Sequence, residues 1–405
     1  MRPTRREAIG GAVGGVVAVA LGTRFWNDLF GSASRADLHP GRGYGRLRPP
    51  DELGLRLPER FSARVVARGS ERVPGTGYRW HEASDGAAAY PLGDGGWILV
   101  SNSETPRGGA SALRFRRDGT VTDAYRILSG TRQNCSGGAT PWGTWLSCEE
   151  VEDGVVWECD PAGHRDPVSH PAMGVFKHEA AAVDPRGHRV YLTEDLVDGR
   201  LYRFTPERWP SLASGLLEVA SISPGGTVSW EAVPDPSARR VPTRRQVTAS
   251  TPLKRGEGLW RDGRTVYVAT TADHRVHAYD IDRERIRVLY DGLASRAAPL
   301  LRVDQLTASH AGEVFVCEDI ATEEIDIGLI EPSGRVSRFL SVTGPQHANS
   351  ELTGITFDPS GRRMYFSSQR AGGSNGQPGP GAIYEISGPF RRSASQRLHS
   401  SGMAA

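Results

Sequence analysis

The sequence predicts an all-β fold, a six-bladed β-propeller behind an N-terminal export signal, on three observations. Glycine and proline supply 49 and 27 of the 405 residues. Neither suits a helix interior, so short strands and many turns are expected. Six segments of similar pattern recur, each opening near an acid or a thiol, most passing a tight turn, then running through a short apolar stretch. Their spacing is close to that of a blade of four strands, whose sequence period is about 40–45 residues.

The chain opens on an address. In "TRREAIGGAVGGVVAVALG", Arg5 and Arg6 precede an uncharged stretch from Ala8 to Gly22. That stretch is shorter than the ~20 residues needed to span a bilayer and is interrupted by glycine. A weakly apolar segment behind paired arginines suits the twin-arginine route, which carries folded proteins. Residues 1–36 are therefore assigned to a signal peptide and residues 45–390 to the propeller, with a flexible tail at 391–405. The mature protein is expected outside the cytoplasm, periplasmic or extracellular, as a monomer without a membrane span.

Lys+Arg number 49 and Asp+Glu 47, a formal net charge of +2, and no basic run stands beside an aromatic stripe. Nucleic acid is excluded as the expected partner. Cysteines at 135, 148, 159 and 317 allow two disulfides in any of three pairings in an exported protein. Folded export also permits a metal to be loaded before release. Cys148 and Cys317 take matching places in repeats that face each other across a propeller axis, and are expected to be buried and inert.

The repeats follow in order. "HEASDGAAAYPLGDGGWILVSNSE" runs from Glu82 to Glu104, and "NCSGGATPWGTWLSCEE" carries Cys135 at its start and Glu149–Glu150 at its end. "HEAAAVDPRGHRVYLTED" runs from Glu179 to Glu194–Asp195, and "GEGLWRDGRTVYVATTAD" starts at Glu257. "DQLTASHAGEVFVCED" runs from Asp304 to Glu318–Asp319, and "ELTGITFDPSGRRMYFSSQR" from Glu351 to Arg370. The starts at 82, 135, 179, 257, 304 and 351 are 53, 44, 78, 47 and 47 residues apart. The long interval is assigned to an insertion at 206–252, between the third and fourth blades.

Equivalent positions of successive blades form a ring around the axis. Cys135, Glu179, Glu257, Asp304 and Glu351 should converge at the channel mouth. Carboxylates packed together repel unless cations neutralise them, so the ring predicts a metal centre. Carboxylates favour hard ions such as calcium, whereas a thiolate favours a softer ion such as iron or zinc. The sequence has neither Cys-x-x-Cys nor His-Glu-x-x-His, so an ordinary zinc site lacks support. A mixed cluster is expected, with a transition metal at Cys135 and calcium nearby. Glu149, Glu150, Glu194, Asp195, Glu318 and Asp319 are either outer calcium ligands or caps of the turns between strands.

The segments "NCSGGATPWGTWLSCEE", "FKHEAAAVDP", "VYLTED", "GEGLW" and "ELTGITFDPSG" resemble the PhoX-type alkaline phosphatases, over residues 78–390. The resemblance implies twin-arginine export, six blades, an iron–calcium cluster and hydrolysis of phosphate monoesters or diesters. It also implies that Cys135 ligates iron and that Glu179, Glu257, Asp304 and Glu351 complete the acidic ring. A transferring phosphoryl group gains from cationic side chains, and Lys177 and Arg370 are the candidates for that catalytic role. His178 is either a partner of a ligand or a structural residue. Two rivals remain: a calcium-dependent lactonase-like propeller and a non-catalytic calcium-binding propeller, both of which leave Cys135 without a task.

Overall fold

The computed structural model describes residues 43–294, 298–320, 322–373 and 377–392. Six antiparallel sheets follow one another along the chain: blade 1 (84–128), blade 2 (134–169), blade 3 (178–232), blade 4 (256–291), blade 5 (303–343) and blade 6 (352–387). Consecutive strands pair within each blade, so short turns suffice to build it. Ring closure comes from the N-terminal side. Strand Ser62–Arg68 pairs with Ala382–Ser387 as the outer strand of blade 6, with Ser62 opposite Ser387. Leu55–Arg56 adds a short fifth strand to blade 5. The signal peptide predicted at 1–36 lies outside the described residues.

Burial explains why the strands read as they do. The inner strand of blade 3, His178–Asp184, is buried at all seven positions, with a small apolar run at 180–183 between the buried polar groups His178, Glu179 and Asp184. Outer strands alternate instead: in Ser62–Arg68 the early residues are largely exposed and Val66 and Ala67 turn inward. Six apolar clusters fill the seams between adjacent sheets. Phe61, Phe315, Phe339 and Phe390 pack edge to face between blades 5 and 6, and Tyr191, Tyr279 and Trp230 between blades 3 and 4. Aromatic pairs of this kind add about 0.5–1.5 kcal/mol beyond the area they bury.

The structure corrects the boundary of the insertion. Residues 206–232 fall largely in strands Leu201–Arg208, Ser211–Ile222 and Val228–Ala232, the third, fourth and fifth of blade 3. The length excess is therefore a fifth strand plus a linker at 233–255. Arg244 in that linker is buried against Glu194 at 3.2 Å. At the other end Phe390 enters the seam between blades 5 and 6, and Arg391 pairs with Glu313 at 2.6 Å and Glu331 at 3.0 Å.

One irregularity recurs in every blade. The inner strand carries a bulge in which three steps face two on its neighbour: Ser84/Ala87, Asn134/Gly137, His178/Ala181, Gly256/Leu259, Val303/Leu306 and Thr353/Thr356. A bulge re-aims the side chain it carries and sharpens the local twist. Here it falls where the inner strands enter the ring.

Candidate metal centre

A second repeated feature fixes which residues are equivalent. The amide at the end of each second strand donates to a carbonyl just ahead of the inner strand: Glu104 to Ala83, Glu150 to Gln133, Asp195 to Lys177, Thr271 to Arg255, Asp319 to Arg302 and Gln369 to Glu351. Counting two residues on from these carbonyls gives Asp85, Cys135, Glu179, Glu257 and Asp304, each inside the bulge of its blade, and Thr353 in blade 6, where the bulge begins one residue later. The inner strands touch backbone to backbone beside these positions. A Cβ at Gly86 would stand 2.6 Å from the Cα of Ser136, and one at Gly258 would stand 2.8 Å from the Cα of Gln305. Side chains five of which are acids or a thiol are thereby drawn together near the axis.

Three overlapping groups result, each with its ligand atoms within 4.8 Å of one another: Asp85, Glu104 and Cys135; Cys135, Glu150 and Glu179; and Glu179, Glu257 and Asp304. Cys135 Sγ lies 3.3 Å from Glu179 Oε1 and 3.6 Å from Asp85 Oδ1. Burial, reinforced by the neighbouring carboxylates, raises Glu179, Glu257, Asp304 and Glu351 well above the usual carboxylate range. Asp85 is pushed up to about 7, first by burial and then by Glu104. Burial and the same acids raise the Cys135 thiol. Glu179 is fully buried, and its Oε2 has no hydrogen-bond partner among the described residues. Buried charges need counter-charges or metals. This donor set of one sulfur and several buried carboxylates, with Glu179 Oε2 orphaned, fits multivalent cations.

The paired acids at the second-strand ends divide cleanly. Glu149 accepts the Arg132 amide at 2.9 Å, and Glu318 accepts the amides of Leu301 at 2.6 Å and Asp326 at 2.9 Å. Glu194 accepts the Tyr202 hydroxyl at 2.8 Å and pairs with Arg244. Of the two readings open to these three acids, their hydrogen bonds match that of caps and clamps. The residue after each faces the funnel. Glu150 belongs to a ligand group, while Asp195 and Asp319 pair with funnel cations.

Glu351 also moves. It occupies the place held by Lys177, Arg255 and Arg302 in blades 3 to 5, two residues ahead of the ring, and Thr353 takes the ring position. Its carboxylate still faces the acids, near Asp319, Glu104 and Asp85, and pairs with Arg370 at 3.3 Å. In blade 1 the exposed Glu82 is not the ring acid; Asp85, three residues on, is.

Lys177 Nζ donates to Glu150 Oε1 at 2.7 Å and Asp195 Oδ2 at 3.0 Å. Arg370 spans Glu351 and Glu104 at 3.3 and 3.9 Å. Sequence reasoning missed Arg255, which bridges Asp195 at 2.7 Å and Glu257 at 2.9 Å, and Arg302, which pairs with Asp319 at 2.6 Å. It also missed Asp85, Glu104, Gln305 and Gln369. Cations two residues before the ring acid in three consecutive blades were the available signal. His178 is structural. It is buried, stacks on Phe176 at 3.6 Å and hydrogen-bonds the Gly174 carbonyl, and burial lowers it to about 4. All four cysteines are free, and Cys148 and Cys317 are fully buried in the seams.

Below the ring the inner strands line a cavity of about 400 Å³, walled by residues such as Ala88, Gly138, Ala182, Leu259, Leu306 and Ile355. The described residues include no helix long and apolar enough to cross a membrane.

Comparison with known proteins agrees with the propeller fold. The sequence profile of the family described as Alkaline phosphatase PhoX matches residues 94–157 and 152–290. No curated protein sequence matches the chain. Among solved structures, Pseudomonas fluorescens PhoX in complex with vanadate, a transition state analogue, superposes with a TM-score of 0.70 at 17% identity, covering 84% of this chain and 97% of that one. The gluconolactonase XC5397 from Xanthomonas campestris superposes with a TM-score of 0.51 at 14% identity, covering 86% of this chain and 99% of that one. At such identities the structural likenesses speak for the propeller fold. The profile match, the shared fold and the motif around Cys135 together place the chain in the PhoX-type alkaline phosphatase family.

Proposed function

We propose that this protein is an exported, metal-dependent phosphatase that hydrolyses phosphate monoesters at an iron–calcium centre in the propeller funnel, with diesters as secondary substrates. The observation that carries this reading is the chain of three ligand groups joined through Cys135 and Glu179. The group of Cys135, Glu150 and Glu179 suits iron at its thiol, and the oxygen ligands Glu179, Glu257 and Asp304 on one side and Asp85 and Glu104 on the other suit calcium. When bound, such ions supply Lewis-acid polarisation of a phosphoryl oxygen and activation of the nucleophile.

The protein's own groups supply orientation and charge. Lys177, Arg255, Arg302 and Arg370 stand around the ring, each already held by a funnel carboxylate. Side chains fixed in this way need little rearrangement to meet the charge of a phosphate ester. Export by the twin-arginine machinery would deliver the folded, loaded protein.

A lactonase-like or purely calcium-binding propeller would need oxygen ligands alone. The Cys135 thiol, lying between Asp85 and Glu179, weighs against both. The test is metal analysis of protein purified after its own export, alongside hydrolysis of p-nitrophenyl phosphate and of a sugar lactone. Iron with calcium and phosphate release are expected; calcium alone, with lactone opening or with no activity, would overturn the proposal.

A further inference from the structure

Two glutamines reach the carboxylate of Asp85, and they differ in one respect. Gln305 uses both ends of its amide: Nε2 donates to Asp85 Oδ1, and Oε1 accepts the amide of Gly354. Gln369 uses only one. Its Nε2 donates to Asp85 Oδ2 at 2.6 Å and also to Glu104 Oε2. Its Oε1 has no partner among the described residues, although Gln369 is fully buried. A buried amide oxygen without a partner is costly and calls for a reason.

Gln369 takes the place that Glu104, Glu150, Asp195 and Asp319 take in other blades, so a neutral amide stands where acids recur. A half-turn about its Cγ–Cδ bond exchanges Nε2 and Oε1 without moving other atoms. That turn would set three hard oxygens side by side: the Asp85 and Glu104 carboxylates and the Gln369 carbonyl. Three acceptors facing one another need a proton or a cation between them, and a cation satisfies all three at once. Two carboxylates and one amide balance a divalent ion without excess charge, and carboxylate and amide oxygens are the ligands that calcium takes.

We propose that Gln369 is a neutral oxygen ligand of a calcium-type ion held by Asp85 and Glu104. The inference rests on the metal-centre reading and assigns it one more ligand, from the sixth blade. The amide –NH₂ group takes the cation's place when the ion is absent, so the ion binds reversibly without collapse of the ring.

The test compares wild type, Gln369→Leu and Gln369→Glu as full-length exported protein. Calcium and iron are counted by mass spectrometry after dialysis against graded free calcium, and terbium luminescence serves as a second probe. In Gln369→Leu the calcium concentration for half-saturation of this site should rise at least tenfold, with iron unchanged. Gln369→Glu, which adds a charge, should bind calcium more tightly than wild type. A wild-type calcium curve in Gln369→Leu, or a parallel loss of iron, overturns the assignment. Should Gln369→Leu fail to fold, Gln369→Glu decides alone: tighter calcium binding supports the ligand, and equal or weaker binding overturns it. Absence of both metals from wild type would defeat the metal-centre reading itself, whereas metal-replete wild type with matching variants would defeat only the role of Gln369.

Discussion

Arg255 Nη2 lies 2.9 Å from Glu257 Oε1, two residues along the chain, while its Nε lies 2.7 Å from Asp195 of the preceding blade. One guanidinium thus links a ring acid to a funnel acid, and its partial exposure lets it meet a ligand. Arg255→Met keeps much of the aliphatic stem and removes the charge. If Arg255 offsets charge on a phosphoryl group, kcat/KM for p-nitrophenyl phosphate should fall about a hundredfold, mostly in kcat. Iron and calcium should stay, because the substitution takes a competing cation from the acids. Unchanged kcat/KM would remove Arg255 from the catalytic apparatus.

Arg244 illustrates a different dependence. Its guanidinium reaches from the linker after blade 3 to Glu194, whose side chain is wholly buried. Removing one partner of a buried pair strands the other charge, which costs about 3–5 kcal/mol. Arg244→Met should therefore destabilise the protein by an amount of that order in urea unfolding. Arg244→Met/Glu194→Gln should recover most of the loss. If the double variant is no more stable than the single one, the pair does not clamp the linker.

Both cases show what the sequence could and could not disclose. The blade count was legible because a period near 45 residues needs no knowledge of side-chain contacts. Cys135, Glu179, Glu257 and Asp304 were legible because each opens an apolar strand at that period. Asp85 was hidden by the nearer match of His81–Glu82 to His178–Glu179, which shifted blade 1 by three residues. The pairs Asp85–Gly86, Glu257–Gly258 and Thr353–Gly354 hold the better register, since glycine lets the next inner strand approach. The fates of Glu149 and Glu150 could not be separated in sequence. Adjacent strand residues point to opposite sides, and only the pairing partners decide which side is the funnel. Arg244 lies in a linker, where no periodicity marks a buried residue.

Export offers an independent check on the N-terminal reading. Arg5→Lys/Arg6→Lys retains charge and removes only the paired guanidinium groups. Folded, metal-containing protein should then accumulate in the cytoplasm, with little in the exported fraction. The comparison is made by fractionation and immunoblotting of cells expressing each form. Undiminished secretion of the double variant would show that the address lies elsewhere.

Cys135 gives the sharpest separation between a metal centre and a ring of merely buried acids. Cys135→Ser changes volume little and exchanges a soft thiolate donor for a neutral hydroxyl, a poor ligand for iron. The fold should persist, because the blades are held by their ladders and by the apolar seams rather than by this side chain. Iron content should drop to a small fraction of the wild-type value, and phosphomonoester hydrolysis should fall at least a hundredfold with it. Calcium held by Glu257 and Asp304 should be affected far less, since that ligand group needs no sulfur. Cys148→Ser and Cys317→Ser serve as controls. Both thiols are buried in the seams, so these variants should lose stability while keeping iron. If Cys135→Ser retains iron and activity, the thiol is not a ligand, and its place between Asp85 and Glu179 reflects packing alone.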